Sequence, residues 1–147
     1  MDPERPAIVV RVAQWRGDEA ALALVRRRVF IEEQHVPEDL EWDGEDQAAQ
    51  HWLALIGGVA VGTVRMRAGG HIGRMAVLNE YRQAGIGSML LRTVIEAARE
   101  QELLEVHLHA QVQALAFYGR HGFVAAGEVF MDAGIPHRRM RLRFQPG

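Results

Sequence analysis

The segment Asn79–Leu91, NEYRQAGIGSMLL, places one arginine and two glycines directly before an apolar run with helical spacing. The apolar side chains that follow on one helix face are Leu91, Val94, Ile95 and Ala98. This spacing predicts an amphipathic helix of about 14 residues that ends near Gln101. The glycine-rich corner at its start therefore decides how the chain turns from a strand into this helix.

A corner of this kind is typical of an anion site, because the first N–H groups of a helix have no internal partner and lie at the positive end of its dipole. We expect a pyrophosphate cradle, with Arg82 as a cation at its rim. Its backbone N–H groups would come from Gln83, Ala84, Gly85, Ile86, Gly87 and Ser88. A Walker A loop needs Gly-Lys-Ser/Thr, and a dinucleotide fingerprint needs a small residue where Leu90 stands, so ATP hydrolysis and NAD binding lose support. A tight turn that only packs helix on strand is the alternative.

Outward from this corner, turn residues and alternation predict the other elements. Strands are expected at 8–13, 51–56, 60–68, 71–77 and 105–110, and two more around a turn at 133–136. A first helix should begin with Asp18 as its N-cap and run to about Phe30, and another should end before Gly122. The order β, α, loop, βββ, α, β, α, ββ predicts a single-domain α/β fold with a mixed, mostly antiparallel central sheet and helices on both faces.

Composition limits the possible classes of function. The chain has 147 residues, 48% of them hydrophobic, which fits one domain of about 100 to 200 residues. It has no cysteine, so disulfides, a cysteine nucleophile and cysteine zinc sites are excluded. A net charge of -2 argues against a dedicated nucleic-acid binder. The N-terminal MDPERPAIVV lacks the apolar core of a signal peptide, and no apolar run approaches the roughly 18 residues of a membrane span, so we expect a cytoplasmic protein without a membrane partner.

Two motifs in the same order and separation resemble the GNAT superfamily of N-acetyltransferases. Residues 74–91, RMAVLNEYRQAGIGSMLL, look like that family's strand, Arg/Gln-x-x-Gly-x-Gly/Ala loop and helix. Residues 114–123, ALAFYGRHGF, are similar to its A-x-x-F-Y-x-x-x-G-F helix. A narrower resemblance, to the ElaA/YjcF-like branch, rests on VFIEEQHVP, EWDGED, IGRMAV, HLHAQ and DAGIPH and covers nearly the whole chain.

The resemblance implies a GNAT domain over residues 1–147 that moves an acetyl group from acetyl-CoA to a primary amine of a small molecule or a lysine, by direct attack in a ternary complex. It places backbone groups of Met75, Ala76 and Val77 along the pantetheine arm, with Phe117 beside the cofactor. Tyr118 matches the position of the general acid to the CoA thiolate. Gln111 stands where many relatives have asparagine, which changes the reach of its amide toward the same arm.

The residues indicate no unique general base. By type, the leading candidates are Glu33 and His51, with Asp43, His71, His109 and His137 behind them, because a carboxylate or imidazole can take a proton directly or through water. Six acids crowd the loop after the first helix and are expected to attract a cationic amine: Glu32, Glu33, Glu38, Asp39, Glu41 and Asp43. A solvated loop without a binding role is the alternative.

Two further predictions concern partners and metals. His107 and His109 share a strand face, but no third ligand has suitable spacing, so no metal is expected. An exposed edge among the last strands, at 129–131 and 140–144, is a possible homodimer contact. A non-catalytic acyl-CoA-binding sensor is the alternative to an enzyme, since it would have the same loop and glycines.

Overall fold

The strands and helices of the computed structural model, which describes residues 7–145, follow the predicted order. The strands are β1 Ile8–Ala13, β2 Gln50–Ile56, β3 Val59–Arg67, β4 His71–Val77, β5 Glu105–Gln111, β6 Val124–Asp132 and β7 Ile135–Arg143. The helices are α1 Trp15–Arg26, α2 Glu38–Glu41, α3 Ile86–Glu100 and α4 Leu115–Arg120. Residues 1–6, which carry part of the signal-peptide prediction, lie outside the described residues.

The strands form one seven-stranded sheet in the order β1-β2-β3-β4-β5-β7-β6. Every neighbouring pair is antiparallel except β4 and β5, which run parallel. This pair has only two register positions, His71↔His107 and Ile72↔Leu108, although each strand has seven residues. The two strands therefore separate after Ile72 and Leu108. The predicted α/β fold with a mostly antiparallel sheet is confirmed.

Helix α3 has the predicted stripe and the predicted end, with Gln101 as its C-cap. Leu90, Leu91 and Val94 are fully buried against a core that includes Ile72 and residues of β2, β3 and β5. Burial of each such side chain contributes about 1.5 to 3 kcal/mol, so packing rather than helix propensity fixes this helix on the sheet.

The first helix departs from the prediction at both ends. Asp18 is not the N-cap; its carboxylate accepts the backbone N–H of Gln14 at 2.9 Å and pairs with Arg11 at 2.9 Å. The helix does not stop at Phe30 either, because a π-helical segment, Arg27–Glu33, continues it. The 3.6-residue period carries no signal for this wider turn.

A β-bulge in β4 lies next to the point where β4 leaves β5. Between the pairs Thr63↔Ala76 and Arg65↔Gly73, β4 has one more residue than β3. Arg74, within the bulge, has φ of +49°. A bulge locally twists a strand and redirects its side chains, and here it does so beside the opening in the sheet.

No helix within residues 7–145 has the length and apolar character needed to cross a membrane. At the far edge of the sheet, β6 exposes Val129 and Met131, one of the two segments predicted as a possible homodimer contact. The other segment, 140–144, does not form an edge, because β7 lies between β5 and β6 and Met140 is buried. Dimerisation itself stays a prediction.

Candidate active site

A cleft of about 270 Å³ opens where β4 and β5 separate. Its walls come from β4, β5, the π-helical segment, α4 and the facing ends of β6 and β7, and they include Phe30, Met75, Leu108, Gln111, Phe117 and Tyr118. Beyond the last β4–β5 pair, the facing strand edges are free of the ladder hydrogen bonds that join the rest of the sheet. Such an edge suits an extended chain that carries amide groups.

The glycine corner forms the entry to α3. Gly85 precedes the helix at φ of +81°, and Gln83 also has a positive φ of +67°. The first intrahelical bond runs from Met89 N to Gly85 O at 3.1 Å, so the N–H groups of the preceding helical residues point out of the helix start. The Cβ position of Gly87 lies 3.5 Å from the Phe117 ring, an ordinary contact distance, so α4 packs directly against the start of α3.

Arg82 and Glu33, predicted for two different roles, are partners in the structure. The Arg82 guanidinium donates both Nη groups to the Glu33 carboxylate at 2.6 and 2.7 Å, and its Nε donates to Val77 O at 3.0 Å. The hydrogen bond from Arg82 lowers the pKa of Glu33, which makes this carboxylate a weaker base. Arg82 is therefore fixed beside the corner by an acidic partner 49 residues away in sequence.

Tyr118 lies in the cleft wall on α4, between the rings of Phe117 and Phe123. Burial alone raises the pKa of its phenol to about 12. The phenol therefore stays protonated across the range in which enzymes work, so its hydroxyl keeps a proton that it can donate.

The amide of Gln111 is held by two other glutamines. Its Nε2 donates to Gln34 Oε1 at 2.8 Å, and its Oε1 accepts from Gln113 Nε2 at 2.5 Å. Gln111 lines the cleft, and these bonds leave one N–H and one oxygen lone pair of its amide for a ligand there.

His51 lies away from the cleft, inside the protein. Its ring is 1% exposed, stacks obliquely near Trp15 at 5.4 Å, and bonds the backbone oxygen of Asp46 through Nε2 at 2.8 Å. Burial lowers the pKa of His51. Because a base must reach the amine or its bound water, this placement removes His51 from the candidates.

The acidic loop offers much less free negative charge than the sequence predicted. Four of its six acids form ion pairs with arginines: Glu33, Glu38, Glu41 and Asp43. The arginine partners lie on α1, the π-helical segment, β3, β4 and the glycine corner. They are too far from the acids along the sequence for a local pattern to predict the pairs. The loop therefore has little uncompensated negative charge with which to attract a cationic amine.

The centre of this network is buried. Arg26, 0% exposed, donates to Glu41 at 2.8 Å and to Asp46 at 2.6 Å, while Arg65 bridges Asp46 and Asp43 at 3.1 and 2.9 Å. Burial raises the pKa of Glu41 although the arginines act against it. Removing one partner of a buried pair typically costs about 3 to 5 kcal/mol, because the other charge is left without compensation. The network therefore fixes the loop against the sheet.

Arg74 connects this network to the cleft. From the β4 bulge, its Nη2 donates to the backbone oxygens of Leu40 and Glu41 at 3.2 and 3.0 Å and to Asp43 at 3.2 Å. Arg74 also lines the cleft. The bulge and the acidic loop are thus tied together at the cleft wall, a connection that the sequence analysis missed because it depends on the strand register.

The remaining predicted bases, the histidines, cluster beside the cleft. His71, His109 and His137 line it, and the His71 ring lies 4.9 Å from that of His107 and 5.0 Å from that of His109. Burial, with added repulsion from Arg67 and the neighbouring histidines, lowers the pKa of His71 to about 3. No group of three or more His, Asp or Glu side chains in residues 7–145 is arranged to hold a metal ion.

Comparison with known proteins gives consistent matches over most of the chain. The family model described as "Acetyltransferase (GNAT) domain" matches residues 12–144. The N-acetyltransferase YjcF of Bacillus subtilis is 38% identical over 120 residues, covering 79% of this chain and 86% of that protein. An acyl-CoA N-acyltransferase from Pseudomonas aeruginosa has a TM-score of 0.82 at 32% identity, covering 92% and 99% of the two chains. Escherichia coli ElaA has a TM-score of 0.83 at 25% identity, covering 93% and 100%.

Proposed function

This chain belongs to the GNAT family of acetyltransferases, and from that premise we propose that it moves an acetyl group from acetyl-CoA to the primary amine of a small molecule or a lysine. The family uses acyl-CoA donors and acts on amines, so the chain is an acyltransferase. We propose two finer points of this reaction: the acyl group is acetyl, and the amine attacks it directly in a ternary complex. A route through a cysteine-bound acetyl group is excluded, since the chain has no cysteine.

The observation that carries the proposal is the opening between β4 and β5, which has a phenol in its wall. Phe117, also in that wall, contacts the start of α3 at Gly87. Acetyl-CoA has an acidic pyrophosphate, an amide-bearing arm and a thioester. In our proposal the pyrophosphate takes the N–H groups of residues 83–88, with Arg82 at the rim. The arm lies along the free edge of β4 at Met75, Ala76 and Val77, between Phe117 and Gln111.

Tyr118 is proposed to act on the leaving sulfur. As the amine forms the C–N bond and the C–S bond breaks, negative charge grows on sulfur, and the phenol O–H can donate to it. With a pKa near 12 against about 8.5 for a thiol, complete proton transfer to the free thiolate is uphill by about 5 kcal/mol. Stabilisation therefore comes chiefly from the hydrogen bond made while the bond breaks, and solvent can complete the protonation.

The amine must lose a proton before or during attack, and we assign this step to water in the cleft rather than to one side chain. Glu33 is paired with Arg82, and His51 is buried elsewhere. Positioning supplies much of the remaining catalysis, since near-attack geometry is worth up to about 7 to 11 kcal/mol.

Thermal unfolding with added ligands tests the donor. Acetyl-CoA and CoA at about 100 times their dissociation constants should each stabilise the protein by about 2.7 kcal/mol, a rise of several degrees in the midpoint. ATP and NAD, which lack the pantetheine arm, serve as controls and should give much smaller shifts. Equal shifts with all four ligands, or none with acetyl-CoA, would contradict the proposed donor site.

A further inference from the structure

One face of the sheet carries a row of basic side chains beside the cleft. The strand registers place Arg67 opposite His71, His71 opposite His107, and His107 opposite Arg141. Residues in register on neighbouring strands point to the same face, so these four side chains cross β3, β4, β5 and β7 in one line.

The row belongs to a groove that continues from the cleft. A second register pair, His109↔Arg139, lies next to it on the same face. Together these residues line a cavity of about 640 Å³, and two of them, His71 and His109, line the cleft as well. We call this surface the basic groove: Arg67, His71, His107, His109, Arg139 and Arg141. A molecule that reaches the cleft from this side therefore passes three arginines.

The basic groove has little negative charge of its own. The ion pairs found within residues 7–145 involve none of its three arginines. Glu105, the one acid among the described residues that line the cavity, pairs with Arg143. The Nε of Arg67 is buried and has no hydrogen-bond partner within residues 7–145. Three arginines thus share this face of the sheet without an ion-pair partner among the described residues, so their guanidinium groups are available to an anion.

Two histidines of the groove, His71 and His109, have lowered pKa values. Burial is the main cause of the lowered pKa values of His71 and His109, and Arg67 and Arg139 respectively add to it. Both rings therefore favour their neutral form at physiological pH, while the three arginines carry permanent positive charge at this face.

We propose that the basic groove binds an anionic group, a carboxylate or a phosphate, at the far end of the acceptor amine. Arginine guanidinium groups bind both kinds of anion through paired N–H donors. The inference rests on the proposed transfer function, and it names the class of acceptor: an amine that also carries negative charge. It reverses the expectation from the acidic loop, whose charges are mostly used within the protein.

A matched series of five-carbon amines tests this class directly. Pentylamine, 5-aminopentanoate, 5-aminopentyl phosphate and cadaverine share one amine and chain length but end in a neutral, carboxylate, phosphate or ammonium group. We expect kcat/KM for at least one anionic amine to exceed that of pentylamine by about tenfold, as for one charge-assisted contact, with cadaverine the poorest acceptor. The two anionic members distinguish a carboxylate site from a phosphate site.

Variants locate the effect in the groove. R139Q and R141Q should each lower the ratio of kcat/KM for the preferred anionic amine to that for pentylamine by about tenfold, and R141K should restore part of it. R138Q is the matched control, because Arg138 is on the same strand, does not line the groove and, among the described residues, bonds only the backbone oxygen of Gly127. An equal fall of the ratio in R138Q would indicate long-range electrostatics and overturn the groove assignment.

Measuring binding and turnover separately distinguishes a failure of the proposed acetyl transfer from a failure of the proposed anion site. Isothermal titration of 5-aminopentanoate and of 5-aminopentyl phosphate into the CoA-loaded protein, wild type and R141Q, needs no catalysis. Binding that R141Q weakens, without transfer to any of the four amines, would support the anion site and contradict the transfer function. Transfer with equal preference for all four amines, or with preference for cadaverine, would support the transfer function and overturn the anion site.

Discussion

Replacing Tyr118 with phenylalanine isolates the hydroxyl that we place on the leaving sulfur. The ring stays packed between Phe117 and Phe123, so Y118F should change the unfolding free energy by no more than about 0.5 kcal/mol. Among residues 7–145, burial is the cause that raises the pKa of the phenol, without a contribution from a charged group. The substitution therefore removes one donor and leaves the rest of the cleft unchanged.

The loss of rate follows from the role. A positioned acid contributes about 100- to 10,000-fold, and because full proton transfer from a phenol of pKa about 12 is uphill, we expect the lower end, about 100-fold in kcat. The dissociation constant for acetyl-CoA should stay within about twofold, since the pyrophosphate and arm contacts remain. CoA release followed by a thiol reagent gives kcat, and titration calorimetry gives the affinity.

The pH dependence provides an independent check on the same residue. Because the phenol loses its proton only near pH 12, Tyr118 should cause no decline of kcat between pH 7 and 10. A kcat in Y118F within about threefold of wild type, with unchanged stability, would refute the role of the hydroxyl.

Three further substitutions test the frame of the site. G70A should lower the unfolding free energy measured in urea titrations by about 3 kcal/mol, and G69A should lower it by about 1 kcal/mol. Both glycines have φ above +80°, but only a Cβ on Gly70 would lie 2.8 Å from a backbone oxygen of β5. Burial opposes ionisation of Asp43, yet its arginine partners hold its pKa well below the usual range. The stability that the ionised carboxylate adds is therefore complete above about pH 4 and is lost as the pH falls. The difference in unfolding free energy between wild type and D43N should narrow from about pH 6 to about pH 3. E33Q removes the carboxylate that holds Arg82 and lies beside the proposed phosphate corner, so calorimetry should show CoA affinity rising about two- to fivefold.

Each of these expectations has a contrary result. Equal costs for the two glycine substitutions would show that the close approach at Gly70 is relieved by a shift of the backbone. A stability gap for D43N that widens toward acid would reverse the sign of the linkage. Weaker CoA binding in E33Q would mean that Glu33 positions Arg82 for the phosphates rather than competing with them.

The sequence was sufficient for features that depend on local spacing. The stripe from Leu91 to Ala98 fixed helix α3 and its end, because one buried face is enough to specify an amphipathic helix. The glycine corner could also be predicted, since a left-handed backbone conformation at a helix start favours glycine, as at Gly85.

Features that depend on strand register or on pairs distant in sequence could not be predicted from the sequence alone. The pairing of Arg82 with Glu33 joins residues 49 apart, and the acids of the loop find arginines on four other elements. His51 has the chemistry of a base, but only the packing of the core shows that it is buried. The basic groove likewise needs the strand order, because Arg67, His107 and Arg141 become neighbours only when β3, β4, β5 and β7 are laid side by side.

Acetyl transfer followed on both products tests the account most directly. The protein would be incubated with acetyl-CoA labelled in the acetyl group and with the five-carbon amines, and labelled amide and free CoA thiol would be counted in the same samples. We predict one labelled amide for each CoA released, at a rate that Y118F lowers by about 100-fold. Binding of acetyl-CoA without any labelled amide would contradict an amine acetyltransferase for these acceptors and favour a sensor that only binds acyl-CoA.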